Sequence, residues 1–600
     1  MECLRTFDIL DNLRTLCPEK TDILSVKEKG TWVKYSVQDY LDNAYQISYG
    51  LMAMGLKKGD RIVSISNNRP EWNFMDMGMA QAGIIHVPIY PTISYEDYEY
   101  ILNHVEPSLI FLSDKQLHEK ISPIAQKIPS IRGLYSFNIL PQVKHWKEIT
   151  KLGQENGSRF QDQLKKIKQE INPDDLATLI YTSGTTGNPK GVMLSHGNLL
   201  SNVESISKVF DFNTTHRTLS FLPISHVFER TINYYFQRVG VSIYYAENIG
   251  TIADNLREVK PHLFISVPRL LEKTYDKIIA RGRDLHGIKK QIFFWAVNLG
   301  MKYKVSGGNS WFYKRKLKIA DKLVFSKWRE ALGGMIEIIV TGGAALQPRL
   351  AVIFNAAGIP VAEGYGMTES SPVISVNRPP VTGEIRIGTV GPTIPGVEVK
   401  ISEDGEILCR GKNVMRGYYK EPELTREVID EEGWLHTGDI GIMVEGKYLK
   451  ITDRKKEIFK LSSGKYVAPQ LIENKLKESS FIEQVMVIGE NQKFASALIS
   501  PDFAYLHNWA SLHHIDYRDN AELISNPQVI ARYQRVVNEM NRQLGMTDQI
   551  KRFRLVQEEW SPTTGELSPT LKLKRKFLHE KYEALIREIF SVQKGGENGD

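Results

Sequence analysis

The chain has 600 residues, of which 42% are hydrophobic and 24% charged, and its formal net charge is +7. This length exceeds what one hydrophobic core usually supports, so we expect two or more domains. Its three cysteines, Cys3, Cys17 and Cys409, lack metal-ligand spacing and form no disulfide framework, which favours a reducing compartment. No long apolar run and no signal-peptide pattern occurs, so we predict neither secretion nor a membrane span.

Short β-branched runs alternate with longer helical patterns through the first two-thirds of the chain. Four such runs begin at Leu176, Leu219, Leu263 and Ile336. This alternation predicts α/β layers with largely parallel sheets. From about 383 to 450, glycines, prolines and short strands indicate a β-rich subdomain that closes a large N-terminal domain, residues 1–451.

A different pattern follows in residues 452–600. A helical stretch and two strand-like runs come first, at 468–477, 484–488 and 495–499. We therefore predict a smaller, mobile α+β domain at the C-terminus.

A glycine- and hydroxyl-rich segment follows the run at Leu176 and precedes a helical pattern that starts near Ser195. It reads Tyr-Thr-Ser-Gly-Thr-Thr-Gly-Asn-Pro-Lys-Gly over 181–191. Its glycines let backbone amides approach an anion, and its hydroxyls and lysine add donors: Thr182, Ser183, Gly184, Thr185, Thr186, Gly187 and Lys190. Pro189 stands where a Walker A loop requires its second glycine, so a nucleotide must be held differently.

This segment resembles the signature loop of the adenylate-forming superfamily, which includes acyl-CoA synthetases, luciferases and peptide-synthetase adenylation domains. The resemblance extends from about 35 to 576 and implies that the chain activates a carboxylic acid with ATP as an acyl-adenylate. It also implies Mg²⁺ as the cofactor, with Thr185 and Glu369 as its ligands and Thr185 among the catalytic residues.

Two further superfamily motifs occur in the expected order, Thr341-Gly-Gly-Ala-Ala345 and Glu363-Gly-Tyr-Gly-Met-Thr-Glu-Ser370. The resemblance implies that Tyr365 stacks on adenine, that Thr368 lies near the α-phosphate and that Glu369 binds the metal. The other candidate nucleotide-binding positions in these motifs are Gly343, Ala344, Glu363, Gly364 and Gly366.

The segment Gly433-Trp-Leu-His-Thr-Gly-Asp-Ile440 matches the superfamily's ribose-binding motif. The resemblance implies that Asp439 accepts both ribose hydroxyls and that Arg454 holds the same ribose from the other domain. Lys456 matches the hinge position. Gly464 either lets the pantetheine arm of CoA pass or is a plain turn.

A catalytic lysine is implied in the last motif, Lys572-Leu-Lys-Arg575. Lys572 is the first choice and Lys574 the second, because Leu571 stands where the family commonly has glycine. The carboxylate and the triphosphate repel each other, so Mg²⁺ and Lys572 must neutralise the charge that gathers at the α-phosphorus. The substrate carboxylate attacks by itself, so no nucleophilic side chain is needed. The CoA thiol must then reach the adenylate where the lysine had been, which requires the small domain to rotate.

The substrate class is inferred from 221–230 and 267–273, which resemble the long-chain fatty acyl-CoA synthetase branch. An apolar aromatic wall around His226 suits a hydrocarbon chain, with the imidazole near the carboxylate; a core histidine is the alternative. We therefore predict a long-chain fatty acid:CoA ligase. The rival enzymes are a fatty acyl-AMP ligase that loads an acyl carrier protein and a medium-chain or aryl acyl-CoA ligase. A non-catalytic acyl or nucleotide sensor is disfavoured by the intact Lys572 and Glu369.

Lysines and arginines interleave with aromatic runs over 281–329. This combination suits peripheral contact with an anionic membrane surface; the alternative is a pair of solvated amphipathic helices whose aromatic faces enter the core. No nucleic-acid recognition motif accompanies the charge, so we expect no nucleic-acid partner. We expect a cytoplasmic protein, and a homodimer is compatible with the sequence.

Overall fold

The computed structural model describes residues 3–182, 188–378, 382–568 and 571–591. Strands and helices alternate through the first of these ranges. In chain order the elements are α1 Asp8–Leu16, β1 Leu24–Glu28, β2 Thr31–Tyr35, α2 Val37–Ala53, β3 Arg61–Ile65, α3 Pro70–Gln81, β4 Ile85–Ile89, α4 Tyr95–Val105, β5 Leu109–Leu112, α5 Lys115–Ala125, β6 Gly133–Ser136, β7 Lys144–His145, α6 Lys147–Glu170 and β8 Leu176–Thr182.

The same alternation continues in the second range. Its elements are β9 Lys190–Ser195, α7 His196–Ser207, β10 Arg217–Ser220, α8 Val227–Val239, β11 Ser242–Tyr245, α9 Ile252–Val259, β12 Leu263–Ser266, α10 Pro268–Arg283, α11 Gly287–Gly300, α12 Trp311–Ala320, a π-helical turn Asp321–Phe325, α13 Ser326–Ala331, β13 Ile338–Thr341, α14 Pro348–Ala356, β14 Val361–Gly366, a 3-10 turn Thr368–Ser370 and β15 Val373–Val376.

Short strands dominate the next stretch, and a mixed pattern follows it. The elements are β16 Val397–Ile401, β17 Glu406–Gly411, β18 Gly417–Tyr418, α15 Pro422–Val428, β19 Leu435–Val444, β20 Tyr448–Arg454, β21 Phe459–Lys460, β22 Tyr466–Val467, α16 Pro469–Leu476, β23 Ile482–Ile488, β24 Ser496–Pro501, α17 Phe503–Leu512, α18 Asn520–Ser525, α19 Pro527–Asn541, β25 Arg552–Leu555, α20 Arg575–Lys581 and α21 Glu583–Ser591.

Two eight-stranded sheets form the large α/β part. Their strand orders are β18-β9-β8-β4-β3-β5-β6-β7 and β15-β14-β13-β12-β10-β11-β1-β2. The inner strands are parallel, as the pairs β3/β4, β3/β5 and β12/β13 show, and every residue of β5 is buried. Helices cover such sheets on both faces, which explains the continuous apolar runs in their strands. The predicted α/β class is confirmed.

A four-stranded antiparallel sheet, β16-β17-β19-β20, forms the β-rich subdomain that the glycine- and proline-rich texture predicts. Its last strand runs to Arg454. The predicted domain boundary at 451 lies inside this strand, and the division into 1–451 and 452–600 stays a prediction.

The C-terminal part has a sheet and cores of its own. Strands β23, β24 and β25 form a three-stranded sheet. Apolar residues between Leu461 and Leu555 pack into a hydrophobic cluster distinct from the large core of the α/β part. A self-contained core of this kind is what a separately folding domain requires. Among the described residues, no helix has the length and apolar character needed to cross a membrane.

Candidate active site

Only the two ends of the predicted phosphate loop lie within the described residues. Thr182, the last residue of β8, is the antiparallel register partner of Lys190, the first residue of β9. The predicted helix near Ser195 begins at His196 with Ser195 as its N-cap, so strand β9 separates it from the loop. The remaining loop candidates lie outside the described residues, and their phosphate and metal contacts stay predictions: Ser183, Gly184, Thr185, Thr186 and Gly187.

Tyr418 contacts both Lys190, at the start of β9, and Glu369, the predicted metal ligand. Its strand β18 pairs with β9, and Lys190 Nζ lies 5.1 Å from the centre of its ring. Its hydroxyl donates to Glu369 Oε1 at 2.9 Å. Burial and the nearby Lys456 lower the pKa of Lys190. Sequence reasoning missed Tyr418, because a tyrosine in a short strand carries no local signal of a contact 49 positions away.

Tyr365 lies on β14, the strand next to the edge strand β15 of the second sheet. The pairing of β14 with β15 shifts register between Tyr365 and Gly366, and such an irregularity re-aims a side chain. Gly366 must be glycine, because a Cβ atom there would lie 1.8 Å from the carbonyl oxygen of Pro372. Gly364 is also tightly packed, with Val376 Cγ2 3.3 Å from an added Cβ.

Asp439 lies between Tyr365 and Arg454. Tyr365 donates its hydroxyl to Asp439 Oδ2 at 2.6 Å, and Arg454 Nε donates to Oδ1 at 3.0 Å. A carboxylate oxygen accepts more than one hydrogen bond, so both oxygens can also accept a ribose hydroxyl. Burial raises the pKa of Tyr365 well above its ordinary value, so its hydroxyl stays a donor.

Arg454 reaches Asp439 from the neighbouring strand. Asp439 on β19 and Arg454 on β20 are register partners in one antiparallel sheet. This differs from the expectation that Arg454 approaches from the C-terminal domain, because β20 continues past the predicted boundary. Antiparallel pairing places the two side chains together on one face.

Lys572 lies close to this cluster. Burial and Arg454 lower the pKa of Lys572 to about 8, while the carboxylates of Asp439 and Glu369 act in the opposite direction. Its backbone N–H donates to Ser568 Oγ at 3.1 Å. The residue as a whole is exposed, so the desolvation that lowers this pKa concerns the charged end of the side chain among its neighbours. The second-choice lysine, Lys574, instead has its Nζ 4.0 Å from Asp97 Oδ2.

His226 stands at the N-terminus of α8, where it is the N-cap. Its Nδ1 accepts the backbone N–H of Phe228 at 3.1 Å, so a neutral ring carries its proton on Nε2. Burial and the charge of Lys572 lower the pKa of His226 to about 4. The imidazole is therefore neutral at physiological pH and has one N–H to offer. The residue is half-buried, and its ring centre lies 6.3 Å from that of Tyr90. The role of His226 toward a substrate carboxylate stays a prediction, with a core histidine as the alternative.

The loop after β13 contains Gly343 and Ala344, which are both exposed. Gly343 has φ +84°, a conformation that favours glycine. Glu363 anchors this loop, because its Oε1 accepts the backbone N–H of Leu346 at 2.9 Å. Burial raises the pKa of Glu363 to about 8.

Thr368 and Glu369 are buried in the 3-10 turn that follows β14. Mg²⁺ in nucleotide sites commonly binds one or two carboxylates together with substrate phosphates. Glu369 supplies one such carboxylate near Lys572, so the described donors fit a metal that arrives with ATP. Within the four described ranges, no three His, Cys, Asp or Glu side chains are grouped as an all-protein metal site.

The two predicted positions for domain rotation lie in turns. Lys456 is exposed in the turn that follows β20. Gly464 lies in the exposed turn between β21 and β22, where its φ of +83° favours glycine. The turn is therefore observed, and the role of Gly464 toward CoA stays a prediction.

The fold and the site together define a class of enzymes in which a large α/β part presents a nucleotide cleft and a smaller C-terminal part adds a lysine to it. The sequence profile described as AMP-binding enzyme matches residues 15–419, and the profile of the AMP-binding enzyme C-terminal domain matches 456–594. The chain belongs to the AMP-binding enzyme family.

Curated relatives cover most of the chain. A peroxisomal long chain acyl-CoA synthetase 7 of Arabidopsis thaliana is 34% identical over 94% of this chain and 83% of its own length. A long-chain-fatty-acid–CoA ligase of Mycobacterium tuberculosis is 30% identical over 94% of this chain and 93% of its own length. Human long-chain-fatty-acid–CoA ligase 6 is 31% identical over 94% and 83%. The predicted long-chain branch is confirmed.

Solved structures agree with the fold. The adenylation domain of a carboxylate reductase from Mycobacterium chelonae superposes with a TM-score of 0.75 at 20% identity, covering 98% of this chain and 92% of that one. A fatty acyl CoA synthetase from Mycobacterium tuberculosis gives 0.59 at 19% identity, with coverages of 97% and 99%. At such identities the likeness shows the fold alone.

Proposed function

We propose that the chain is an AMP-forming long-chain fatty acid:CoA ligase that uses fatty acid, ATP and CoA. The observation that carries the proposal is the bonded cluster of Tyr365, Asp439 and Arg454, with Lys572 close enough for Arg454, Asp439 and Glu369 to act on its pKa. This arrangement gathers cations and a metal-binding carboxylate around the place where a nucleotide phosphate would lie. The printed names of the curated relatives support a long-chain fatty acid as the substrate.

In the first half-reaction, a carboxylate oxygen of the fatty acid attacks the α-phosphorus of ATP and pyrophosphate leaves. Lys572 places a positive charge where negative charge accumulates in the transition state. The Nε2–H of His226 donates to the attacking carboxylate and orients it. Asp439 holds the ribose, and the Tyr365 ring supports adenine. Mg²⁺ held by Glu369 and Thr185 would neutralise charge on the phosphates.

In the second half-reaction, the CoA sulfur attacks the acyl carbonyl carbon and AMP leaves. Lys572 must first withdraw, because it lies where the thiol has to approach. The exposed turn at Lys456 can absorb the rotation of the C-terminal part. The turn at Gly464 would then face the site and let the pantetheine arm pass.

The direct test follows both half-reactions with palmitate, ATP, Mg²⁺ and CoA. We expect the wild-type protein to form AMP and palmitoyl-CoA, Lys572→Ala to lose adenylation, and Lys574→Ala to keep it. Accumulation of palmitoyl-adenylate without thioester would contradict CoA as the acceptor and indicate a carrier protein. A preference for aryl or medium-chain acids in competition would contradict the substrate class.

We also propose that 281–329 touches the cytoplasmic face of a membrane. Phe293, Val297 and Trp328 enter the second hydrophobic core, as the alternative of solvated helices expects. Other apolar side chains of this segment remain in solvent: Trp311 is 59% exposed, Phe312 73% and Ile319 54%. Lysines and arginines surround them, a combination that fits an anionic bilayer.

Sedimentation with vesicles tests this contact. The protein should bind vesicles that contain phosphatidylserine and should bind neutral phosphatidylcholine vesicles less. The double variant Trp311→Ala/Phe312→Ala should lose binding, whereas Leu512→Ala/Met546→Ala, which removes exposed apolar side chains of the C-terminal part, should not. Equal binding by all three proteins would contradict the proposal. Cytoplasmic residence and a homodimer stay predictions.

A further inference from the structure

Charged groups join the helix α10 of the large domain to the C-terminal part. The carboxylate of Glu483, on β23, pairs with the guanidinium of Arg269 and lies 3.3 Å from Lys273 Nζ. The side chains of Arg269 and Glu483 are only 19% and 16% exposed. Close by, Arg349 Nη2 donates to the backbone carbonyl of Glu478 at 3.1 Å. These bonds therefore link the large part and the C-terminal part across one interface.

Arg269 and Arg349 also bond to side chains within the large part itself. Arg269 Nη1 lies 3.2 Å from Glu272 Oε2, and Glu272 Oε1 accepts from Gln347 Nε2 at 3.0 Å. Gln347 Oε1 in turn accepts from Arg349 Nε at 2.9 Å. This chain of bonds fixes the two arginines on the large domain, so less side-chain freedom is lost when the C-terminal part docks.

The Arg269–Glu483 ion pair is present in the same arrangement that brings Lys572 to the predicted nucleotide site. Lys572 belongs to the same C-terminal part as Glu483. Two residues further on, Lys574 Nζ lies 4.0 Å from Asp97 Oδ2 of the large part, and the carboxylates of Glu369 and Asp439 are close enough to act on the pKa of Lys572. A rigid rotation about the turn at Lys456 that withdrew Lys572 would also carry Glu483 away from Arg269. The ion pair therefore favours the arrangement that forms the adenylate over any rotated one.

We propose that Glu483, bound by Arg269 and Lys273, is a positioning residue for the first half-reaction. The inference rests on the proposed function, because it assumes that the two half-reactions use different orientations of the C-terminal part. Glu483 holds that part where Lys572 meets the α-phosphate, and it touches neither substrate nor nucleotide. Isolated surface pairs contribute little, but this carboxylate is mostly buried between two cations.

The test separates the half-reactions in Glu483→Lys, which brings a third positive charge to Arg269 and Lys273. We expect adenylation, measured as pyrophosphate exchange with palmitate, to slow about tenfold, which corresponds to about 1.4 kcal/mol in the docking equilibrium. Thioester formation from synthetic palmitoyl-adenylate and CoA should stay within about twofold of wild type, because it does not need the docked arrangement.

Two matched variants make the result specific. Glu539→Lys changes the charge equally at an exposed position on α19 and should leave both half-reactions unchanged. Glu483→Asp, which keeps a carboxylate beside Arg269 and Lys273, should keep adenylation closer to the wild-type rate than Glu483→Lys does. The inference is overturned if Glu483→Lys slows both half-reactions equally, slows neither, or slows adenylation no more than Glu483→Asp does.

Hydrogen exchange in residues 268–273 gives a readout that needs no catalysis. This first turn of α10 should exchange faster in Glu483→Lys than in wild type or Glu539→Lys, and unchanged exchange overturns the inference. A wild-type protein that makes no palmitoyl-adenylate would refute the proposed function, and the exchange comparison would still decide whether Glu483 docks the C-terminal part.

Discussion

Lys572 has a pKa of about 8, lowered by burial and by Arg454. It is protonated below that pH and loses its charge as the pH rises, so kcat/KM for ATP in the first half-reaction should fall as the pH passes through about 8. Initial rates of pyrophosphate exchange between about pH 6.5 and 9.5 measure this. Lys572→Arg keeps its charge throughout and should remove the inflection, whereas Lys574→Ala should retain it. A profile of Lys572→Arg that still bends at the wild-type pH would assign the titration to another group.

The hydroxyl of Tyr365 is the second residue with a measurable role. Tyr365→Phe keeps the ring for adenine but removes the 2.6 Å bond to Asp439. A hydrogen bond to a charged group contributes about 1.5–3 kcal/mol, so KM for ATP should rise about tenfold or more while kcat changes little. Steady-state kinetics with varied ATP measures this. Tyr365→Ala should raise KM for ATP further, since it also removes the ring that is predicted to stack on adenine. Equal increases in both variants would contradict a separate contribution of the ring.

The sequence predicts Tyr365 and Asp439 as nucleotide ligands, yet it does not predict that they touch. The two residues are 74 positions apart, and local patterns encode helices, turns and motifs rather than long-range bonds. Tyr418 was missed for the same reason. The motif residues are predicted because their order and spacing resemble a family, whereas the partners that orient them depend on how separate sheets pack.

Among the elements, the four predicted apolar runs overlap β8, β10, β12 and β13. The runs at Leu176 and Leu263 start with their strands, the run at Leu219 starts two residues inside β10, and the run at Ile336 starts two residues before β13. Periodicity identified them because parallel strands covered on both faces are apolar throughout. The strand β9 was not predicted. It covers 190–195 and so begins inside the predicted loop segment 181–191, and the few residues left before the helix are too short a stretch to show alternation.

The turn from β14 into β15 depends on one close approach. Gly366→Ala would bring Cβ to 1.8 Å from the Pro372 carbonyl oxygen, so the two strands must separate. Overpacking of this kind typically costs about 1–3 kcal/mol, and the displaced Tyr365 and Glu369 should weaken ATP binding as well. Thermal unfolding and ATP titration by calorimetry measure the two effects. Gly545→Ala, whose Cβ would meet only the Asp548 carboxylate at 3.3 Å, should change neither. A stable Gly366→Ala protein with normal ATP affinity would contradict the argument.

At the scale of the whole molecule, the large core and the cluster between Leu461 and Leu555 are distinct, so heating should unfold the chain in two transitions. A non-hydrolysable palmitoyl-adenylate analogue should shift both transitions upward, because the proposed function has it contact Asp439 in the large part and Lys572 in the C-terminal part. At a concentration of about 100 times its Kd, the stabilisation should be about 2.7 kcal/mol. Scanning calorimetry measures both shifts.

In Lys572→Ala the transition of the large part should still rise with the analogue, while the C-terminal transition should stay near its ligand-free temperature. If the C-terminal transition of the wild type did not move, the lysine would not contact the adenylate, and the two parts would be linked only by contacts outside the site, such as Arg269–Glu483 and Arg349–Glu478.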